Sequence, residues 1–322
     1  MKISVIIPVY NCENTLRPLI STLIKVLGKY QLEIVLVNDG SKDRSELICA
    51  ELAKELSFIK FISLRKNRGE HNAVICGLNY CTGDYAAIID DDFQNPPSEI
   101  ISLLNKAIQY NYDVVYAKYE QKHHSFFRNL GSALNDWTTR YLIEKPKGLY
   151  LCSFKLIKKE LVNEIIAYKG PFPYIDALIL RCTDNIGTQT VKHADRKEGK
   201  SNYTLRKLIS LYLNIFINFS YKPLRVVTFS GIIISFFSVL FAIFVLYEKL
   251  FLKNVSPGWA FLSLLLLFSI GVTFFVIGLL GEYIGKILMA LNNTPQYTIK
   301  KQVNTETYTK SITKEQYDRE TI

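Results

Sequence analysis

Two stretches without a single charged side chain, Val226–Tyr247 and Trp259–Gly281, constrain this chain more than any other feature. Each is just over 20 residues long, enough for a helix to cross a hydrocarbon core of ~30 Å. A core helix of that length in a soluble protein keeps a polar face, and neither stretch has one. The sequence therefore predicts two membrane spans, 226–247 and 259–281, behind a soluble N-terminal half. Arg196, Lys197, Lys200, Arg206, Lys207, Lys222 and Arg225 precede the first span, and Lys286, Lys300 and Lys301 follow the second. Between the spans stand only Lys249 and Lys253, beside Glu248. This bias places both flanks, and so the N-terminal half, in the cytoplasm of a multi-pass protein of the inner (plasma) membrane. The net charge of +10 reads as a basic collar against anionic lipid, with no nucleic-acid partner expected. No signal peptide is expected either, since the first residues run straight into a strand.

Within Thr204–Tyr221, Leu205, Leu208, Ile209, Leu211, Tyr212, Ile215, Phe216 and Phe219 form a wide apolar face, with Arg206 and Lys207 at one end. This reads as an interfacial helix, with a core helix of the soluble half as the competing reading. The predicted organisation is a catalytic-type domain at 1–203, an interfacial segment at 204–225, the two spans, and a cytoplasmic tail at 282–322 expected to be partly disordered.

The soluble half alternates short apolar runs with amphipathic ones: strands at 4–10, 33–38, 58–64, 85–90 and 112–118, helices at 13–29, 43–56, 70–81 and 98–110. That order predicts an α/β fold, a Rossmann-like, mostly parallel sheet flanked by helices. Neither GxGxxG nor GxxxxGK[ST] occurs, which removes dinucleotide and P-loop sites. The six cysteines contain no CxxC and read as small buried thiols, and the four histidines lack zinc spacing.

The chemistry concentrates at Asp90-Asp91-Asp92-Phe93-Gln94-Asn95-Pro96-Pro97, directly after the apolar run 86–89. The prolines end the strand and open the next helix, so the acids sit at a strand's carboxyl end, where open α/β sheets bind ligands. Asp90 and Asp92 are two apart and can share one hard cation. Asp39, in Asn38-Asp39-Gly40-Ser41-Lys42-Asp43, falls at the same edge and suits a base imide or a ribose hydroxyl, or else closes a simple Asx turn.

Taken in order, Val5 to Asn11, Asn38 to Asp43, Asn67 to Ala73, Gly83-Asp84 and Asp90 to Pro97 resemble the inverting family 2 glycosyltransferases of GT-A fold. The resemblance is greatest to the polyprenyl-phosphate subgroup, which includes dolichol-phosphate mannose synthase, undecaprenyl-phosphate glucosyltransferases and the aminoarabinose-type transferase. It continues through Ala194–Tyr203, Lys222–Arg225 and Gly278–Ile287. The resemblance implies transfer of one sugar from a nucleotide-diphosphate sugar, expected to be a uridine-diphosphate sugar, to polyprenyl (undecaprenyl) phosphate at the bilayer. It places Pro8, Tyr10, Asn11, Asp39, Asp90, Asp91 and Ser201 on the nucleotide sugar. It assigns Mg²⁺ or Mn²⁺ to Asp90, Asp92 and Gln94, and catalytic roles to Asp92, Arg128 near the acceptor phosphate, and Arg196 on a closing loop.

Four departures stand out. Asp91 replaces a small residue, Asn38 replaces a common Asp before Asp39, Tyr119 replaces a basic one with Lys118 and Lys122 as substitutes, and the acid expected near 149–153 is missing from Leu149-Tyr150-Leu151-Cys152-Ser153. A processive polysaccharide synthase would need QxxRW and more spans, and Trp137-Thr138-Thr139-Arg140 does not match. A transporter would need ionisable residues in its spans. A non-catalytic nucleotide-binding scaffold and a homo-oligomer are both compatible with the sequence.

Overall fold

The computed structural model describes residues 1–119, 145–191, 258–292 and 294–305, with isolated positions at 140 and between 227 and 247. It divides into two units, Met1–Asn202 with Asn293–Ile322, and Tyr203–Asn292. The first unit holds strands β1 (Lys2–Val9), β2 (Gln31–Asn38), β3 (Ile59–Leu64), β4 (Tyr85–Ile88) and β5 (Val114–Tyr119). Helices α1 (Leu16–Leu27), α2 (Ser45–Glu55), α3 (Glu70–Tyr80) and α4 (Glu99–Tyr110) alternate with them. After these come β6 (Lys155–Lys158), α5 (Lys159–Ile166), α6 (Ile175–Cys182), β7 (Ile186–Val191) and, much later in the chain, β8 (Ile299–Val303).

All eight strands form one sheet in the order β7-β5-β6-β4-β1-β2-β3-β8. β1 pairs in parallel with β2 and β4, β2 with β3, and β5 with β7, whereas β6 and β8 run antiparallel to their neighbours. The expected mostly parallel α/β sheet is thus present. Its apolar strands are buried on both faces, as continuous runs such as Val5-Ile6-Ile7 require. α1 buries Leu16, Leu19, Ile20, Leu23 and Leu27, the i, i+3, i+4 stripe of a surface helix. α3 lies so close to the sheet that a Cβ on Gly77 would meet Ile6 Cγ2 at 2.5 Å.

Successive strands step outward from β1 to β2 and β3, and then the chain returns to place β4 on the other side of β1. The strand order reverses there, which opens a crevice beyond the carboxyl ends of β1 and β4. Pro8 is buried near that end of the central strand β1. The Ile6 carbonyl accepts from Ile89, and pairing with β4 stops at Ile88, so the N–H that Pro8 lacks points where no partner strand remains.

The last strand departs from the sequence reading, in which 282–322 is a single tail. β8 instead pairs antiparallel with β3 and covers that edge of the sheet. Lys300 pairs with Glu46 at 3.0 Å, and the Asn304 amide donates to the carbonyls of Ala53 and Ile59. The alternation Ile299-Lys-Lys-Gln-Val303 shows too little apolar character to reveal an edge strand by itself.

In the second unit, α7 (Trp259–Leu291) is one uninterrupted helix of 33 residues. Its Phe268–Leu291 segment is long and apolar enough to cross a membrane, the one such helix among the described residues. It runs ten residues beyond the expected end of the span at 281, because Glu282 and Lys286 are tolerated within it. The described positions from 227 to 247 are helical, and Phe229, Ile233, Phe236, Phe237, Leu240, Ile243 and Tyr247 are exposed. The rest of the first expected span and the interfacial segment 204–225 lie outside the described residues.

Candidate active site

Four loops meet at the carboxyl edge of the sheet. The loops after β1 and β2 are locked together by hydrogen bonds in both directions. The Asn11 amide donates to Ser41 Oγ at 3.1 Å, and the Lys42 amide donates to Asn11 Oδ1 at 2.8 Å. The amides of Cys12 and Glu13 donate to Ser45 Oγ and Asp43 Oδ2, while the Arg44 amide donates to Glu13 Oε2. Asn11 has the left-handed backbone (φ 55°) that Asn tolerates. These contacts use residues 11–15 as loop, so α1 begins at Leu16 instead of the expected Glu13.

Asp39 is buried and accepts from the backbone amides of Arg68 and Gly69 at 2.7 and 2.8 Å, one on each oxygen. Burial raises its carboxyl above the ordinary range, and the two amides oppose that shift. Its first task is therefore to pin the β3–α3 loop, and a carboxylate has lone pairs left for a ligand. Gly40 must be glycine, since its φ is +68° and a Cβ would lie 2.8 Å from the Asn67 nitrogen. Tyr10 carries an exposed ring beside these loops.

The triple-acid loop after β4 turns through Phe93, at φ 61°. Asp92 Oδ1 accepts the Gln94 amide at 3.1 Å in a tight Asx turn. Asp90 Oδ2 accepts from Ser153 Oγ at 2.6 Å and from Asn95 Nδ2 at 3.3 Å. Asp91 points elsewhere: its Oδ2 accepts the Tyr10 amide at 3.2 Å, so its part in the nucleotide pocket runs through the β1 loop. Burial, with the Asp90 and Asp92 charges adding and the Cys12 and Tyr10 hydrogen bonds opposing, raises the Asp91 carboxyl to about 6.

Among the described residues, no three His, Cys, Asp or Glu side chains converge as a protein-only metal cage. The donor set nevertheless fits a divalent cation of the hard, oxygen-seeking kind. Mg²⁺-type sites take one or two carboxylates and leave their other positions to water and substrate phosphates, and Asp90, Asp92 and Gln94 carry donors of that type, two carboxylates and one amide oxygen.

Several contacts at this edge carry no signal in the sequence. Because β6 runs antiparallel, with Lys155 opposite Ile88, the segment before it arrives at the same edge as the triple-acid loop. Tyr119 Oη donates to Asn95 Oδ1 at 2.6 Å and accepts from Cys152 Sγ at 2.9 Å. Lys118, an expected substitute for a base at 119, is exposed and by strand alternation faces away from Tyr119. Behind this layer the ammonium of buried Lys155 pairs with Asp176, which also accepts from Tyr116 Oη at 2.9 Å. Glu70 opens α3, and loss of hydration beside the protein, then the Asp90 charge, raises its carboxyl above the ordinary range, with Lys155 opposing. His71 packs edge-on against Tyr174 at 4.9 Å, and burial lowers its imidazole to about 4. The cysteines are reduced; Cys49, Cys76, Cys81 and Cys152 are buried as expected, whereas Cys182 is exposed. Arg128, Arg196 and Ser201 lie outside the described residues, as does Lys122.

A family model described as glycosyl transferase family 2 matches residues 4–165, the span that contains all four loops. The chain is similar to the undecaprenyl-phosphate 4-deoxy-4-formamido-L-arabinose transferase of Edwardsiella ictaluri, 34% identical over 310 residues covering 94% of both chains. The protein of the same name from Klebsiella pneumoniae is 32% identical over 311 residues, again covering 94% of each. Among solved structures, glucosyl-3-phosphoglycerate synthase from Mycobacterium tuberculosis in complex with Mn²⁺, uridine diphosphate and phosphoglyceric acid shares the fold. That match has a TM-score of 0.50 at 19% identity, covering 67% of this chain and 76% of that one.

Proposed function

The chain belongs to glycosyl transferase family 2 and is a glycosyltransferase, and from that premise we propose that it transfers one sugar, with inversion, from a uridine-diphosphate sugar to undecaprenyl phosphate at the cytoplasmic face of a membrane. The observation that carries this reading is the similarity to undecaprenyl-phosphate transferases over 94% of the chain, membrane segment included. The triple-acid loop stands at the sheet's switch point, where the fold class binds its ligands.

In this reading Tyr10 stacks on the base, Asn11 and Asp39 hold the loops that frame it, and Asp90, Asp92 and Gln94 would hold a divalent cation. That cation, when bound, offsets the negative charge of the leaving group. An oxygen of the acceptor phosphate attacks the anomeric carbon from the face opposite the diphosphate. The new carbon–oxygen bond forms as the bond to the diphosphate breaks, and the nucleotide diphosphate leaves with both electrons. No acid lies within 149–153, and none is required: a phosphate monoester with a second pKa near 6 is already largely dianionic at pH 7. Catalysis then rests on alignment and charge stabilisation, with Arg128 and Arg196 as the phosphate-binding arginines.

The membrane reading draws support from β8. Residues 299–303 pair with β3, in the same sheet as the N-terminal half. A chain that leaves this domain at 203 and rejoins it at 293 must cross the bilayer an even number of times. With Phe268–Leu291 as one crossing, this parity supports the expected span at 226–247 as the second, and the basic flanks support the cytoplasmic side for both termini.

The test uses membranes containing the full chain, radiolabelled undecaprenyl phosphate and a panel of nucleotide sugars. Nucleotide diphosphate release should require both the lipid phosphate and a divalent metal, and the label should move to a glycosylated lipid. Release that ignores the lipid phosphate would overturn the acceptor.

A further inference from the structure

The acid that opens the triple-acid loop is held by side chains from two segments, and a third, β5, reaches it through one of them. Ser153, just before β6, and Asn95, at the end of the loop itself, both donate to Asp90 Oδ2. Asn95 is 2% exposed, so its amide must satisfy its donors and acceptor internally. A buried asparagine can face either way, and here the choice matters. With Nδ2 toward Asp90 it donates to a carboxylate; with the amide reversed, its carbonyl oxygen would meet that carboxylate oxygen and repel it. The neighbour on the other side decides. Tyr119, at the end of β5, donates its hydroxyl proton to Asn95 Oδ1 at 2.6 Å. That hydroxyl is in turn an acceptor for the Cys152 thiol, so its own proton is directed at Asn95. The polarity runs in one direction, Cys152 to Tyr119 to Asn95 to Asp90.

We propose that Tyr119, Asn95 and Ser153 are positioning residues that fix the Asp90 carboxylate for the divalent cation, with Tyr119 setting the orientation of the Asn95 amide. This rests on the metal assignment made above. It also gives a physical role to two of the departures in the sequence. Where a basic residue and an acid were expected, the chain has a neutral hydrogen-bonded relay from Tyr119 and Cys152, and a hydroxyl from Ser153. Neutral donors orient Asp90 without cancelling the charge that attracts the cation. A lysine or arginine in their place would compete with the metal for it.

The test is Mn²⁺ binding to the full chain in detergent, followed by electron paramagnetic resonance without any sugar donor. Wild type is compared with Tyr119→Phe, Asn95→Ala, Ser153→Ala and Ser153→Thr. Loss of a residue that orients a metal ligand costs about 10- to 100-fold in metal affinity, and the first three variants should weaken Mn²⁺ binding by about 10-fold or more. Ser153→Thr keeps the hydroxyl and should restore most of the wild-type affinity. Thermal unfolding of the same samples separates a folding defect from a positioning one. Variants that lose stability but bind Mn²⁺ as tightly as wild type would overturn the proposal. A wild-type protein that binds no Mn²⁺ while still transferring sugar would instead overturn the metal assignment itself, and this inference with it.

Discussion

The backbone amide of Tyr10 donates to Asp91 Oδ2 at 3.2 Å, so the middle acid of the triple-acid loop ties that loop to the end of β1. Two loops that are 81 residues apart in sequence become one rigid wall of the crevice. The ring of Tyr10, 40% exposed, is held at its rim. In the proposed reading Asp91 would serve the nucleotide side of the site, with Asp90 and Asp92 left for the diphosphate.

Asp91→Ala should accordingly raise the KM for the nucleotide sugar several-fold while changing kcat less, because it loosens the base platform and leaves the reacting centre in place. Asp91→Asn retains an acceptor oxygen for the Tyr10 amide and should stay close to wild type. Initial-rate kinetics at saturating lipid phosphate separate the two variants. An asparagine variant as impaired as the alanine one would show that the charge matters, not the hydrogen bond.

Asp92→Asn should reduce transfer by about 100-fold or more, the scale of losing a key group that stabilises charge in the transition state. The residue sits in a partly accessible turn and supports no core, so the unfolding temperature should hardly change. Near-normal turnover of this variant after metal chelation would remove Asp92 from the catalytic set.

Glu33 makes a pH-dependent contribution at the opposite end of the sheet. Burial disfavours its charge, but hydrogen bonds from Ser4, Lys60 and Thr82 outweigh that and hold its carboxyl down at about 2. A depressed carboxylate stabilises the fold fully above its unfolded value near 4.5, and that contribution fades as the pH falls towards 2. The difference corresponds to about 3 kcal/mol. Glu33→Gln should therefore lower stability by a constant amount between pH 7 and pH 5, and by progressively less below pH 4.5. Denaturant unfolding of the purified full chain across that range checks it; a gap that widens on acidification would contradict the assignment.

Membrane topology can be tested through the edge strand. In a Cys182→Ser background, which removes the exposed native thiol, Lys301→Cys should be shielded from an impermeant thiol reagent in intact cells. Lys253→Cys, between the spans, should be labelled. Labelling of position 301 from outside would exclude a cytoplasmic N-terminal domain and tail.

Strand–helix alternation, the ligand edge and the charge-free stretches were legible in the sequence because each is a local signal. Apolar runs of strand length, prolines after Asn95 and two segments without charge need no knowledge of distant contacts. The triple-acid loop was legible for the same reason: consecutive acids directly after a buried strand have few other uses. Placement of β6 and β8 was not, since an antiparallel insertion and a strand added from beyond a membrane helix depend on pairing across 67 residues between β4 and β6 (Ile88 to Lys155) and more than 200 between β3 and β8 (Phe61 to Val303). The β6 pairing is what carried Ser153 to Asp90 and turned Tyr119 and Cys152 towards Asn95. The sequence by itself determined which residue types stand at the edge of the sheet. Only the tertiary structure decided which of them face the crevice and which hold the others in place, because hydrogen-bond direction depends on register, and register is a property of the assembled sheet.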